Sequence, residues 1–137
     1  MKTDDARRVL AAAKARAADL DKTVSIAIVD AGGSMVLFER LGDAPALTAL
    51  AAEGKAAGSA FTGMDSARLV SMAKNLPALG ARLAGQRFVA LQGGVPIFDD
   101  GAVIGAIGVS GSSGEEDEEI ARAGAEAFAS GEQVALG

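Results

Sequence analysis

A layered α+β domain, an antiparallel sheet of about five strands flanked by helices, is the fold this sequence predicts, and three observations carry it. Segments with apolar residues three and four apart alternate with short β-rich runs, in the order α-β-β-α-α-β-β-β-α. Successive strands are joined by turns too short for a crossover helix, so neighbours should pair antiparallel. A length of 137 residues with 50% hydrophobic and 23% charged residues suits one core, so residues 1–137 read as a single domain and not as a disordered chain.

The elements follow in order. Thr3 before Asp4 and Asp5 reads as an N-cap with acids at the positive end of the helix dipole, and Ala6, Val9, Leu10, Ala13, Ala17 and Leu20 make one apolar face. Val24 to Val29 is β-rich, Asp30-Ala31-Gly32-Gly33 supplies a turn, and Ser34 to Leu41 returns as the second strand of a hairpin. Gly42 to Pro45 leads into an Ala-rich helix from about Ala46 to Phe61, in which Gly54 and Gly58, four apart, permit a close backbone approach. Asp65 is placed to cap a short helix through Lys74. Asn75 to Gln86, with Pro77, Gly80 and Gly85, reads as a loop with a helical turn. Phe88 to Leu91, Val95 to Phe98 and Ala102 to Ser110 read as three strands, the last two joined by an Asp100-Gly101 hairpin turn. Gly105 and Gly108 in the last strand predict a helix or ligand lying close against it. Ser113 and Glu116 have capping-box spacing before a final helix with Ile120, Ala123, Gly124, Ala127 and Phe128 as its apolar stripe, and the run from Glu115 to Glu119 reads as its solvated first turn.

What is missing narrows the chemistry. The chain has no Cys and no His, which excludes disulfides, thiolate nucleophiles, imidazole metal ligands and a Ser-His-Asp triad. With neither Trp nor Tyr and a net charge of -5, it lacks both the stacking platforms and the basic surface of a nucleic-acid binder. No run approaches the roughly 18 apolar residues of a membrane helix, and the acidic N-terminus is unlike a signal peptide, so a soluble cytoplasmic protein without a membrane partner is expected.

Several motifs, taken in order, resemble the GlcG/HbpS family, the haem-degrading-domain family related to the C-terminal domain of PduO-type proteins. They are Val29-Asp30-Ala31-Gly32-Gly33, Phe38-Glu39-Arg40, Gly54-Lys55-Ala56-Ala57, Gln92-Gly93-Gly94-Val95-Pro96-Ile97, Asp100-Gly101, the run Ile104 to Gly111, and Asp117-Glu118 with Ile120-Ala121 and Ala123-Gly124. The resemblance implies a profilin-like α/β sandwich that forms a homo-oligomer, and members that bind haem or corrinoids. Family sequences commonly carry Gly-Gly-His after the first strand, whereas Ser34 stands there in this chain, so a family-style imidazole ligand for haem is absent. Met35, beside it, offers a thioether sulfur in its place, or a core side chain.

Two function classes remain open. In a ligand-binding module the pocket would be lined by Ser34, Met35, Phe38, Arg40, Lys55 and the Gln92-Gly93-Gly94 loop, for a small molecule whose identity the sequence leaves unknown, haem included. In a cofactor-independent enzyme, a hydrolase or an isomerase or tautomerase acting on a small carboxylate or carbonyl compound, Lys55 or Glu39 would move protons while Ser110 and backbone amides polarise an oxygen. Lys55 draws attention because a charge in a small, apolar helix must snorkel, pair with a carboxylate such as Glu39 or Glu53, or face a cleft. Arg40 or Arg87 could hold a carboxylate, with surface ion pairing as the plainer role for each.

Overall fold

Four strands form the sheet in the computed structural model, which describes residues 1–78 and 88–136, with side chains through 129. The elements are α1 (Thr3–Asp19), β1 (Ser25–Asp30), β2 (Met35–Arg40), α2 (Ala46–Thr62), α3 (Ser66–Asn75), β3 (Gly94–Asp99), β4 (Ala102–Ser110) and α4 (Gly114–Leu136). The strand order is β2-β1-β4-β3 and every pairing is antiparallel. Arg87 and most of the expected loop from Asn75 to Gln86 lie outside the described residues.

Strand alternation sorts the apolar residues into two unequal cores. Ile26, Ile28, Val95, Ile97, Ile107 and Val109 face α1 and α4, where Val9, Ala13, Ile120 and Phe128 close a large core. Ala27, Val29 and Ala106 face α2 and, among the described residues, cluster with Ala52, Ala56 and Ala60. The second core is thin because α2 rests directly on the sheet. A Cβ at Gly108 would lie 2.1 Å from the Ala52 carbonyl oxygen and 2.6 Å from the Ala56 nitrogen, and one at Gly94 would lie 2.5 Å from the Lys55 carbonyl oxygen. Gly108 therefore receives a helix, as the sequence predicts, whereas a Cβ at Gly105 would strike the neighbouring strand at Val29 O.

The turns follow their sequence signals. Asp30 Oδ1 accepts from the amides of Gly32 and Ser34, both at 3.0 Å, closing the first hairpin. Asp100 and Gly101 have φ of +53° and +84°, the left-handed pair that a two-residue hairpin turn needs. Ser113 Oγ accepts the Glu116 amide at 3.2 Å and donates to Glu116 Oε1 at 3.1 Å, so the capping pair forms.

Three expectations change. The sheet has four strands and not about five, because Phe88 to Leu91 is not a strand: Val89 N–H donates to the Gly54 carbonyl of α2 at 3.1 Å. β-Rich composition there reflects packing on a helix, not a ladder. Asp65 occupies the N-cap position of α3 but makes no capping bond, since its carboxylate pairs with Arg122 of α4. The N-cap position of α1 falls on Lys2, one residue before Thr3.

The α2 contact has a direct test. Gly108→Ala should lower unfolding free energy in urea by more than about 3 kcal/mol, since backbone atoms cannot rotate away from the new methyl. Gly101→Ala, with φ of +84° but nothing within 4 Å, should cost only about 1–2 kcal/mol. Equal losses would show that α2 can lift off the sheet freely.

Candidate functional site

The seating of α2 on the sheet decides where Lys55 goes. Its neighbours in the helix are Gly54, Ala56 and Ala57, all buried, and its own side chain runs to the end of β4 with the residue only 3% exposed. The Nζ donates to the Val109 carbonyl oxygen at 2.8 Å and to Asp117 Oδ2 at 3.3 Å. Asp117, 2% exposed, accepts the Ser112 amide on its other oxygen, Oδ1, at 2.9 Å. Burial pushes the Lys55 amine below the ordinary lysine range, and Asp117 offsets part of that shift. Burial likewise raises the Asp117 carboxyl, with Lys55 and the Ser112 and Gly111 backbones pulling it back. Removing one partner of such a pair typically costs about 3–5 kcal/mol, because the other is left charged and unpaired.

Above this pair lies a cleft of about 580 Å³. Lys55 and Asp117 line its base, Gln92, Ser110 and Ser112 supply its polar rim, and Ala67 and Val70 of α3 with Leu91 form an apolar wall. Among the described residues, the Gln92 amide and the Ser110 hydroxyl have no protein hydrogen-bond partner. The Ser112 hydroxyl donates to Glu116 Oε1 at 2.6 Å, and that bond, with the one from Ser113, holds the Glu116 carboxyl below its ordinary range. Gly93, with φ of +133°, passes over the pair: a Cβ there would lie 2.5 Å from Val109 O and 2.9 Å from Lys55 Nζ. Gly94 lies against α2, and its amide donates to Ser66 Oγ at 2.7 Å. The two glycines shape the cleft with backbone and bring no side chain to it.

Of the residues singled out in the sequence, Lys55, Ser110 and Gln92 thus come together, with Gly93 and Gly94 behind them. The others stand apart because β1 lies between β2 and β4. Glu39 projects to the α1 side of the sheet and pairs with Lys14 at 2.8 Å. Arg40 sits in the same cross-strand row as Ser110 but two strands away, about 10 Å at the usual strand spacing. Between them Ser25 bonds Thr48 of α2 at 2.8 Å. Phe38 and Met35, 37% and 41% exposed, lie on edge strand β2, and Ser34 belongs to the hairpin turn at the end of the sheet opposite Ser110.

The partner of Lys55 is neither Glu39 nor Glu53 but Asp117, and the run from Glu115 to Glu119 is not a wholly solvated turn. The signal for Asp117 was present: it precedes Ile120, Ala121 and Gly124 at the three-, four- and seven-residue spacing of the buried stripe. Leu91 and the α3 wall carried no comparable mark.

With this geometry in place, the relatives can be compared. A family described as "Haem degrading protein HbpS-like" matches residues 1–126. Protein GlcG of Escherichia coli K12 is 32% identical over 105 residues, which are 77% of each chain. Among solved structures, a double mutant of Streptomyces reticuli HbpS superposes with a TM-score of 0.86 at 29% identity, covering 92% of this chain and 85% of that one. A structure described as a PduOC:haem complex gives the same TM-score, 0.86, at 30% identity, covering 93% and 94%. Family match, sequence identity and shared fold agree with the motifs read from the sequence: this chain belongs to the HbpS-like family.

Proposed function

We propose that this chain is a small-ligand-binding protein whose ligand is a compact organic molecule bearing oxygen, held in the cleft over Lys55 and Asp117. The observation that carries the reading is that the Gln92 amide and the Ser110 hydroxyl, without a protein partner among the described residues, share a cleft with an apolar wall and a buried ion pair. Polar groups without a protein partner in such a concavity are what a ligand's oxygen atoms satisfy.

Haem enters through the family, since one similar structure is a complex with it. The donor set of the cleft does not fit an iron ligand. The chain has no His, Cys or Tyr, and among the described residues the cleft is lined by no Met. Met35, the thioether next to Ser34 at the family's histidine position, lies on the far edge strand. The second reading, a cofactor-independent enzyme for a small carboxylate or carbonyl compound, gains from the same pair. Lys55 and Asp117 are the cleft's proton-transfer groups, with Ser110 beside them, while Glu39 is held on the other face by Lys14.

The reading includes a homo-oligomer. Leu47, Leu50 and Phe61 of α2 are 73%, 68% and 73% exposed, an unusual density of large apolar side chains on one helix, and a symmetric partner would cover them.

Two measurements test these statements. In a thermal-shift screen of small acids, aldehydes, ketones and haemin, a compact oxygen compound should raise the Tm of the wild type, and Ser110→Ala with Gln92→Ala should abolish the shift. Haemin should give no stoichiometric Soret change beyond that of serum albumin, and a tight one-to-one complex would overturn the exclusion of haem. Light scattering should show an oligomer that Leu47→Ser with Leu50→Ser dissociates, whereas a monodisperse wild-type monomer would remove the oligomer.

A further inference from the structure

We propose that Lys55 captures its ligand covalently, condensing with the carbonyl carbon of an uncharged aldehyde or ketone in the cleft to form an imine. The inference rests on the cleft being the binding site and adds the class of ligand and the bond formed.

Three observations lead there. The first is the hydrogen-bond count at Nζ. An ammonium has three donors, but among the described residues only two acceptors reach it, Val109 O at 2.8 Å and Asp117 Oδ2 at 3.3 Å. These two acceptors leave the third position of Nζ, an N–H in the ammonium or the lone pair in the neutral amine, to the cleft that Lys55 lines. Burial favours that neutral form.

The second is charge. Among the described residues, Lys55 and Asp117 are the cleft's ionisable lining groups and they are paired with each other, so none of those residues offers an unpaired cation to a carboxylate. Gln92 and Ser110 are left to bind a neutral oxygen against the apolar wall. The third is space. Lys55 lines the cleft, and a side chain at Gly93 would begin 2.9 Å from Nζ, so glycine is what leaves room beside the amine.

The step balances without any oxidant, reductant or metal. Within the pair the Lys55 ammonium first passes one proton to the Asp117 carboxylate, leaving a neutral amine beside a neutral carboxyl. The Nζ lone pair then attacks the carbonyl carbon, forming the C–N bond as the π pair moves to oxygen. Asp117 carries one N–H proton to that oxygen, giving a carbinolamine. The hydroxyl then leaves as water, taking a proton from the Asp117 carboxyl, and the second N–H proton returns to the Asp117 carboxylate. Amine and carbonyl have become imine and water.

The test is reductive trapping of the full chain with sodium cyanoborohydride at pH 7, using acetaldehyde, hydroxyacetone and benzaldehyde as probes. The adducts are mapped by peptide mass spectrometry, and amide shifts at Gln92 and Ser110 are followed by NMR without reductant. An ordinary lysine is almost wholly protonated at this pH, so labelling at Lys55 should exceed that at Lys2, Lys14, Lys22 and Lys74 by roughly tenfold or more. Asp117→Asn, nearly isosteric, should slow the trapping, and the wild-type map holds whether or not that variant folds. Amide shifts without a Lys55 adduct would overturn the imine and leave the binding cleft standing. Neither shifts nor adduct with any probe would overturn both.

Discussion

At Gly94 and Gly108 the backbone of α2 touches the sheet, with no side chain on either strand position to hold the two layers apart. The layer between them is correspondingly thin, built from alanines and a single valine. A lysine in the middle of such a helix has no room to lie beside its own turn and no core of ordinary depth to cross. Lys55 instead runs to the end of β4, where the strand's last carbonyls and the start of α4 supply its partners. The helix contact therefore determines the burial of the amine, and the burial determines its chemistry.

Asp117 completes the arrangement from the opposite side of the sheet, since α4 packs with α1 and reaches around the end of β4. One carboxylate oxygen binds Lys55 and the other the Ser112 amide, so a single side chain ties α2 to the turn that leads into α4. The cleft sits where these elements meet α3 and the segment before β3. Its rigid parts are backbone and buried charge, and its adaptable parts are Gln92 and Ser110. That division suits a site in which a fixed reactive group faces a small, variable ligand.

Much of this was legible in the sequence, for local reasons. The Asp30 to Gly33 and Asp100-Gly101 turns, the helix stripes and the Ser113-Glu116 cap are set by neighbours in the chain, and they appear as their residue types require. Lys55 stood out because a charge in an Ala/Gly helix has few places to go. Its partner did not, because Asp117 is 62 residues away and hides in an acidic run whose other members are more exposed. Likewise, Phe88 to Leu91 has the composition of a strand, and only the position of Gly54 of α2 explains why it is none. Ser34, Met35, Phe38 and Arg40 joined one candidate pocket with Lys55 on paper because the insertion of β4 beside β1, which separates them from Lys55, is a property of strand order alone. Membership of the HbpS-like family adds the fold, and one similar structure is a complex with haem, whereas among the described residues the cleft is lined by no His, Cys, Tyr or Met.

The central claim is that Lys55 is a buried amine with a depressed pKa, and it can be read directly. Selective isotope labelling of lysine and an NMR titration of the side-chain Cε and Nζ signals would follow each amine separately. The Lys55 signals should titrate below the ordinary lysine range, and Asp117→Asn should lower the midpoint further by removing the charge that offsets burial. A midpoint at or above the ordinary lysine value would show a solvated or strongly charge-stabilised ammonium and would contradict the reactive-amine reading of the site.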